Sequence, residues 1–540
     1  MQNQTQDRDR QSDDDTGKDC VAQPPATSLP DAVWFILVGL VALIPGLVTQ
    51  LMGGIHSASL WIAFTGTVFV GAVAALTVLL MYFVLLRRDL RRSLAVAAAL
   101  VLVCFTWNYW TLTGAVIAEL VGIAAARDIA AVAVPVAIVW IAGRFGDRDW
   151  FAVAATGIVI GVILIIASAV APKLVRAPGP PVAVANATFH PNTILLILDG
   201  YARGDVLVDD FDHEGRLLAD ELENRGFVVQ EEAVTNYSIT YASLASMMAM
   251  DYPFDEGSRG DEELAEMRAL LSGVGPLVGG FREAGYTVVK SENAWGGSVC
   301  SSWVDECYRS GVIRTSLWAI GQLTPFAPIQ RSFFGHPFTS VGLQQIRELP
   351  ERIGGDPESP RMVISHVTVP HAPTQLDAAC QMDPQRGGAG LHLVSPEDSE
   401  AMVDQARARY ASQVECVDRE VLASIDTLLE KDPDLAILIV ADHGPDSRGQ
   451  LELNHDQWSD AAMVERMSVL SAMRLPEWCD QDGPAVTTVN TIRKLASCSL
   501  GTDLEPLPER MFWAPREDDG TLPVIDISDR LRSILRKTGR

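Results

Sequence analysis

Basic residues are scarce: 42 Lys and Arg stand against 68 Asp and Glu, a formal net charge of −26 over 540 residues. So acidic a chain repels a phosphate backbone, which excludes nucleic acid as a partner. Any anionic substrate would need a metal ion or locally placed Arg and Lys. No internal repeat or low-complexity segment stands out. A cleavable signal sequence is also missing, because the first apolar stretch is long and four more follow it. Ionisable residues are nearly absent from those stretches, Glu119 at a span edge aside, and this makes a transporter a poor reading. Outside the C-terminal region cysteine is thin, with Cys20 and Cys104 only.

What is present divides near position 172. Residues 1–30 are rich in Gln, Asp, Arg and Ser and predict a disordered cytoplasmic tail. Residues 31–171 are dominated by Ala, Val, Leu and Ile, with spans expected near 31–52, 60–86, 93–113, 128–143 and 150–171. Each is close to the roughly 20 residues that cross a hydrocarbon layer. Leu120 to Ala126 could form a short interfacial segment. Arg87, Arg88, Arg91 and Arg92 follow the second span, and Arg144 and Arg148 follow the fourth. Both clusters fall on one side of a five-helix bundle, so that side and the N-terminus are cytoplasmic and everything after Ala171 lies outside. The expected localisation is a multi-pass protein of the plasma membrane with an extracytoplasmic domain.

The cysteines bear on compartment independently. Cys300, Cys307, Cys380, Cys416, Cys479 and Cys498 form an even set suited to three disulfides in an oxidising space. Sequence neighbours suggest 300–307, 380–416 and 479–498, among fifteen possible pairings.

Residues 172–192 carry Pro178, Pro180, Pro181 and Pro191 and read as a semi-rigid spacer. From 193 to 540, short β-rich runs at 193–198, 227–232, 286–290, 361–367 and 435–441 alternate with helical stretches at 215–225, 262–284, 398–430 and 485–497. Such alternation predicts an α/β domain with a mostly parallel sheet covered on both faces. Ligands of such sheets bind outside the carboxyl ends of the strands. The run 193–198 delivers Asp199 and Gly200 there, and 435–441 delivers Asp442, His443 and Gly444. Adjacent Asp and His give a metal a carboxylate and an imidazole with little backbone adjustment.

Between these runs, Asn236-Tyr-Ser-Ile-Thr240-Tyr-Ala-Ser243 places a hydroxyl before an apolar helix at 241–250. A threonine hydroxyl is a poor nucleophile until a base or a metal activates it, and a helix N-terminus favours a transferring anion. Ser238 and Ser243 are rival hydroxyls at the same turn. Ser365-His366-Val-Thr-Val-Pro370-His371-Ala-Pro373 adds two histidines at another strand end. His371 is the first choice for substrate contact and proton transfer, with His366 alongside it. Trp295 could wall a headgroup pocket, and His455 is a further substrate-binding candidate, weaker because isolated loop histidines are mostly solvated. His336 is weaker on the same ground.

Leu-Asp199-Gly, the hydroxyl at Thr240, Pro370-His371-Ala-Pro373 and Ala-Asp442-His443-Gly444 occur in the order found in the alkaline phosphatase/sulfatase superfamily. The chain most resembles its membrane-anchored sulfatase-like branch, which includes lipoteichoic acid synthases and phosphoethanolamine transferases. The resemblance implies about five N-terminal helices, an alkaline phosphatase-like extracytoplasmic domain, and one divalent ion held by Asp199, Thr240, Asp442 and His443. It also implies a covalent intermediate on Thr240, with His371 contacting the substrate. The chain departs from lipoteichoic acid synthases in having Asp199 where they have Glu. The Pro and Arg of the formylglycine sulfatase motif are absent around Thr240, and threonine cannot become formylglycine.

The expected function is a metal-dependent phosphotransferase or phosphodiesterase of the cell envelope that moves a phospholipid headgroup to a glycan or lipid acceptor. Rivals are a sulfatase or phosphomonoesterase, and a catalytically silent envelope-binding ectodomain. The donor set favours Mn²⁺ or Zn²⁺, with a second ion available to His366, His371 and His455. Oligomeric state is not legible in the sequence.

Overall fold

A computed structural model describes residues 31–52, 60–86, 89–107, 110, 126–170, 190–214, 217–255, 261–293, 295, 299–354, 359–386, 393–395, 398–479, 485–514 and 524–539. The predicted tail, most of the spacer, the segment 120–125, Arg87 and Arg88 lie outside them.

Among the described residues, five helices precede the sheet domain: Ala32–Met52, Leu60–Leu80, Leu90–Phe105, Ala126–Phe145 and Asp149–Val170. The second runs on through a π-helical turn, Met81–Leu85. Their mutual contacts are made by Trp34, Leu37, Val70, Ala74, Ala97 and Ala152, whose small partners allow close approach. Phe35, Leu76, Phe83, Ile129, Trp140 and Ile158 point outward and are exposed. Helices apolar on every side suit a lipid environment. Among the described residues one stretch, Thr67–Leu85, qualifies as a span by length and composition, while the apolar parts Ala32–Ile44, Ile129–Phe145 and Asp149–Ile163 are shorter. At one end of the bundle Arg91 pairs with Asp31 and Asp149, and Arg92 with Asp147.

The C-terminal part is built on a seven-stranded sheet in the order β2-β7-β6-β1-β5-β3-β4. The strands are β1 Thr193–Leu198, β2 Val228–Val229, β3 Thr287–Glu292, β4 Glu306–Arg309, β5 Arg361–Val367, β6 Ala436–Ala441 and β7 Ser471–Arg474. A separate antiparallel pair joins β8 Phe512–Trp513 to β9 Ile525–Asp526. Pairing is parallel from β6 to β4, and β7 runs antiparallel to β6 and β2. The mostly parallel α/β sheet predicted from the alternation is therefore present, with an antiparallel edge.

β1 alternates Ile194, Leu196 and Leu198 toward one apolar core and Leu195 and Ile197 toward another, so both faces are covered. This is why the strand is a continuous apolar run. One core packs the helix Glu400–Lys431, the other the helix Thr240–Ala249. The helical stretch expected over 262–284 is two helices, Asp261–Leu271 and Pro276–Glu283. Gly273 at φ +86° and the proline that opens the second helix interrupt it. The three disulfides are Cys300–Cys307, Cys380–Cys416 and Cys479–Cys498.

Candidate metal centre

Register places the site. Leu198, the last residue of β1, pairs with Val367 on one side and Ala441 on the other. The residues that follow, Asp199 and Asp442, leave the sheet side by side at its carboxyl edge. His366 pairs with Ile197 and shares its face of the sheet, the face that packs the helix Thr240–Ala249. Ile239 is the N-cap of that helix and Thr240 its first residue. Thr240 thus sits next to the N-cap, near the helix start where the sequence puts it, and the cap itself makes no side-chain hydrogen bond.

Lone pairs converge between these elements. His443 Nε2 lies 2.8 Å from Thr240 Oγ1, 3.5 Å from Asp199 Oδ1 and 3.3 Å from Asp442 Oδ2. His443 donates from Nδ1 to the Gly444 carbonyl at 2.9 Å, which fixes the tautomer and turns the bare Nε2 toward the carboxylates. Asp442 Oδ1 accepts from the backbone N–H groups of Gly200 and His443, at 3.1 and 2.9 Å. Its other oxygen, with Asp199 Oδ1 and His366 Nε2, is buried without a hydrogen-bond partner. Buried polar atoms in native structures have partners, so three orphans facing one point call for a missing one. Donors of a tetrahedral cation bound at ~2.0 Å are about 3.3 Å apart, close to the separations found here. Asp199, His371 and His443 form one group with ligand atoms within 4.8 Å of one another, and Asp199, His366 and Asp442 form a second. The residues present fit a divalent cation.

The charges compete until one is bound. Burial penalises the Asp199 carboxylate, but His371, His366 and His443 outweigh it and hold its pKa below the usual range. Burial, followed by the charge of Asp199, pushes Asp442 well above that range. Burial and then Arg466 drive His443 downward, which keeps it neutral and able to ligate. A cation between the carboxylates would let both ionise.

The other predicted residues are placed as follows. His371 donates from Nδ1 to the Ala372 carbonyl at 2.8 Å, and its backbone N–H donates to the Asp199 carbonyl at 2.9 Å. Both flanking prolines follow cis peptide bonds. His366 Nδ1 faces the Asn293 amide at 3.2 Å, and its Nε2 lies 3.3 Å from Asp199 Oδ2. Trp295 is half-buried with its ring edge-on to His366, centroids 5.5 Å apart, one layer behind the donors. His455 packs on Trp513 at 5.6 Å and is not in either donor group. Ser238 and Ser243 are turned away: Ser238 bonds Ala514, and Ser243 contacts Thr235. His336 caps the helix Pro337–Glu348 through Nδ1, and burial, followed by His371, lowers its pKa to about 4.

No protein-family model and no curated protein sequence matches the chain. Its structural neighbours are phosphoethanolamine transferases and sulfatases. The periplasmic domain of EptC from Escherichia coli, solved with Zn, is 15% identical over 65% of this chain and 96% of that one, with a TM-score of 0.42. The integral membrane lipooligosaccharide phosphoethanolamine transferase EptA from Neisseria meningitidis is 13% identical over 86% of this chain and 95% of its own, with a TM-score of 0.39. A 2-O glycosaminoglycan sulfatase is 13% identical over 65% and 90%, at 0.41. These likenesses are loose, and what the site can do is read from its own residues.

Several supporting residues were not legible beforehand. Arg466 is buried and donates from Nε to the Ser238 carbonyl and from Nη1 to the Gly444 carbonyl, both at 2.7 Å. It thereby ties the turn before Thr240 to the turn after His443. Tyr410 donates its hydroxyl to the Gly200 carbonyl at 2.7 Å and accepts from the Ala202 N–H at 3.1 Å. Gln413 donates to the Pro370 carbonyl at 2.9 Å. Gly444 is required because a Cβ there would collide with the Glu465 carbonyl. Of these, only the glycine carried a sequence signal, through its place in Asp442-His443-Gly444.

Proposed function

We propose that this chain is a membrane-anchored, metal-dependent phosphotransferase or phosphodiesterase of the alkaline phosphatase/sulfatase type. One observation carries the reading: the Thr240 hydroxyl sits at a helix start 2.8 Å from His443 Nε2, which lies within 3.5 Å of the unpartnered oxygens of Asp199 and Asp442. Asp199, Thr240, Asp442 and His443 would hold the ion. A divalent cation there supplies Lewis acidity and lowers the pKa of an attached hydroxyl.

Thr240 Oγ1 then attacks the phosphorus of a phosphodiester, and a Thr240–phosphorus ester forms as the bond to the leaving alkoxide breaks. The Thr240 proton leaves to solvent, because His443 Nε2, 2.8 Å from the hydroxyl, has no lone pair left for it when it holds an ion. His371 Nε2, entering the step as imidazolium, gives its proton to the leaving oxygen and regains one from the acceptor hydroxyl when the ester is resolved. A glycan or lipid hydroxyl, or water, resolves the ester by the reverse steps. The first backbone N–H groups of the helix Thr240–Ala249 face the anion that develops.

The membrane part of the reading places the ends of the bundle on opposite sides. The Arg91–Arg92 cluster lies at one end of the helix Leu90–Phe105, and beyond the other end the Trp107 N–H donates to the Leu323 carbonyl of the sheet domain, at 3.0 Å. With basic loops cytoplasmic, the domain is extracytoplasmic, and the disulfides suit that space. A phospholipid headgroup donor and an envelope glycan or lipid acceptor fit this placement.

The test compares purified full-length protein with Thr240→Ala on an aryl phosphodiester, an aryl phosphomonoester and an aryl sulfate, with Mn²⁺, with Zn²⁺ and after chelation. Diester cleavage that needs metal and is lost in the variant supports the proposal. Sulfate cleavage surviving in Thr240→Ala removes the nucleophile assignment.

A further inference from the structure

β4 leads into two helices, Val312–Gln322 and Ala327–Phe333, that have two unlike faces. One face docks on the N-terminal bundle: Ile320 and Leu323 are buried in the bundle core, and Leu323 accepts from the Trp107 N–H. On the other, Ile313, Phe326, Ile329, Phe333 and Phe334 are each more than half exposed. Three exposed phenylalanines within nine residues are unusual for a soluble surface, and a water-facing role gives no reason for them.

We infer that this hairpin is a membrane-docking surface whose exposed face enters the headgroup and upper acyl layer of the outer leaflet. The inference rests on the reading of the bundle as membrane-spanning and adds to it a second point of attachment, within the sheet domain. Three observations commit the occupant to lipid. The hairpin's opposite face is continuous with the apolar bundle, so its exposed face lies where the helices emerge. The helix Leu90–Phe105 has 16 residues, which at 1.5 Å each puts the hairpin about 24 Å from the Arg91–Arg92 end, close to one hydrocarbon thickness. Arg314 and Arg331 also stand exposed beside the phenylalanines. In a chain of net charge −26, basic residues at an apolar edge match the anionic surface of a leaflet.

A cavity of about 810 Å³ opens on the same face, lined by Arg309, Arg314, Leu317, Trp318, Gln330 and Phe334. Its inner wall reaches toward the site, since Trp318 packs on His336 at 4.9 Å and Thr339 donates to the Pro373 carbonyl of the His371 loop at 3.0 Å. Docking here would hold the His371 loop against the leaflet.

The test uses the full chain with Cys20→Ser and Cys104→Ser, residues outside the site, and a single added cysteine carrying an environment-sensitive fluorophore. Phe333→Cys and Phe326→Cys probe the hairpin. Glu232→Cys, beyond β2 at the far edge of the sheet and six strand spacings or about 29 Å from β4, is the control. The proteins are placed in nanodiscs of phosphatidylethanolamine and phosphatidylglycerol containing a lipid with a nitroxide high on its acyl chain. The expected result is quenching at 333 and 326 at least about three-fold above that at 232, as for a group seated in the interface. Equal quenching at all three positions, or quenching at 333 relieved only by dissociating a second copy or another protein, overturns the hairpin assignment and leaves the catalytic reading standing. Failure of the chain to remain with the nanodisc removes the membrane reading and this inference with it.

Discussion

The bundle and the sheet domain bury apolar surface in opposite senses. In the bundle, small residues such as Ala74, Ala97 and Ala152 face inward while Phe35, Phe83 and Trp140 face out. In the domain, large residues such as Leu195, Phe281 and Tyr410 are inside, and the buried polar groups include Asp199, Asp442 and His443 at the carboxyl edge of the sheet. On the membrane reading proposed above, the first arrangement is the one a solvent as apolar as the side chains would give, where close packing holds helices together. The second follows from water, where removing apolar area is the driving force and a buried polar group must find a partner. Unpartnered atoms occur elsewhere in the domain, and those of Asp199, Asp442 and His366 are set apart by lying within 4.8 Å of one another.

If that contrast is right, the largest effect should come from the site. His443→Ala removes a donor and the acceptor of Thr240, and metal-dependent turnover should fall by about 10³-fold or more, with bound metal lost by elemental analysis. Turnover within ten-fold of wild type would mean that the convergence of donors is structural. Next is the Cys380–Cys416 bridge, which closes a 36-residue separation. Replacing both by alanine should cost about 4 kcal/mol, read by denaturant unfolding of the domain signal, with the bundle signal unmoved.

Asp418 gives a pH test of similar size. It accepts from the Tyr201 hydroxyl at 2.5 Å, its other oxygen has no partner, and burial raises its pKa from 3.8 to about 7. Because the folded-state pKa is the higher one, its contribution is full below pH ~4, declines as pH rises, and is lost above about 7. The loss is on the order of 4 kcal/mol, and Asp418→Asn should remove that part of the pH slope, gaining stability at pH 8 relative to wild type. An unchanged slope would show that Asp418 stays ionised. The smallest effect belongs outside the bundle: Leu76→Ala, at a position 67% exposed, should change thermal stability in detergent by less than about 0.5 kcal/mol. A larger loss would mean that Leu76 packs against a partner.

How much was legible differs between the two regions for the same physical reason. Composition alone marked the apolar helices, because the length of an apolar run reports its solvent. It does not settle how many cross, since Thr67–Leu85 alone has the length and apolarity among the described residues. In the domain, Asp199 and Asp442-His443 were visible because charge breaking an apolar run is costly anywhere but a site. Thr240 could be told from Ser238 and Ser243 only by the resemblance, and the fold turns the two serines toward Ala514 and Thr235. Arg466, Gln413 and Tyr410 were invisible, because single polar residues within ordinary helices look solvated until the partner carbonyl is known. β7 and the helices of the docking hairpin were missed as well, being short or amphipathic without a strong period.

The helix Glu400–Lys431 spans 32 residues, and its Tyr410, Gln413, Cys416 and Asp418 engage Gly200, Pro370, Cys380 and Tyr201 in turn. It works as a camshaft, with several followers timed by one rotation angle. Removing a single residue between Tyr410 and Gln413 would turn everything downstream by about 100° and detach three of the four followers together. Insertions and deletions tolerated in the surrounding loops should therefore be forbidden along that stretch.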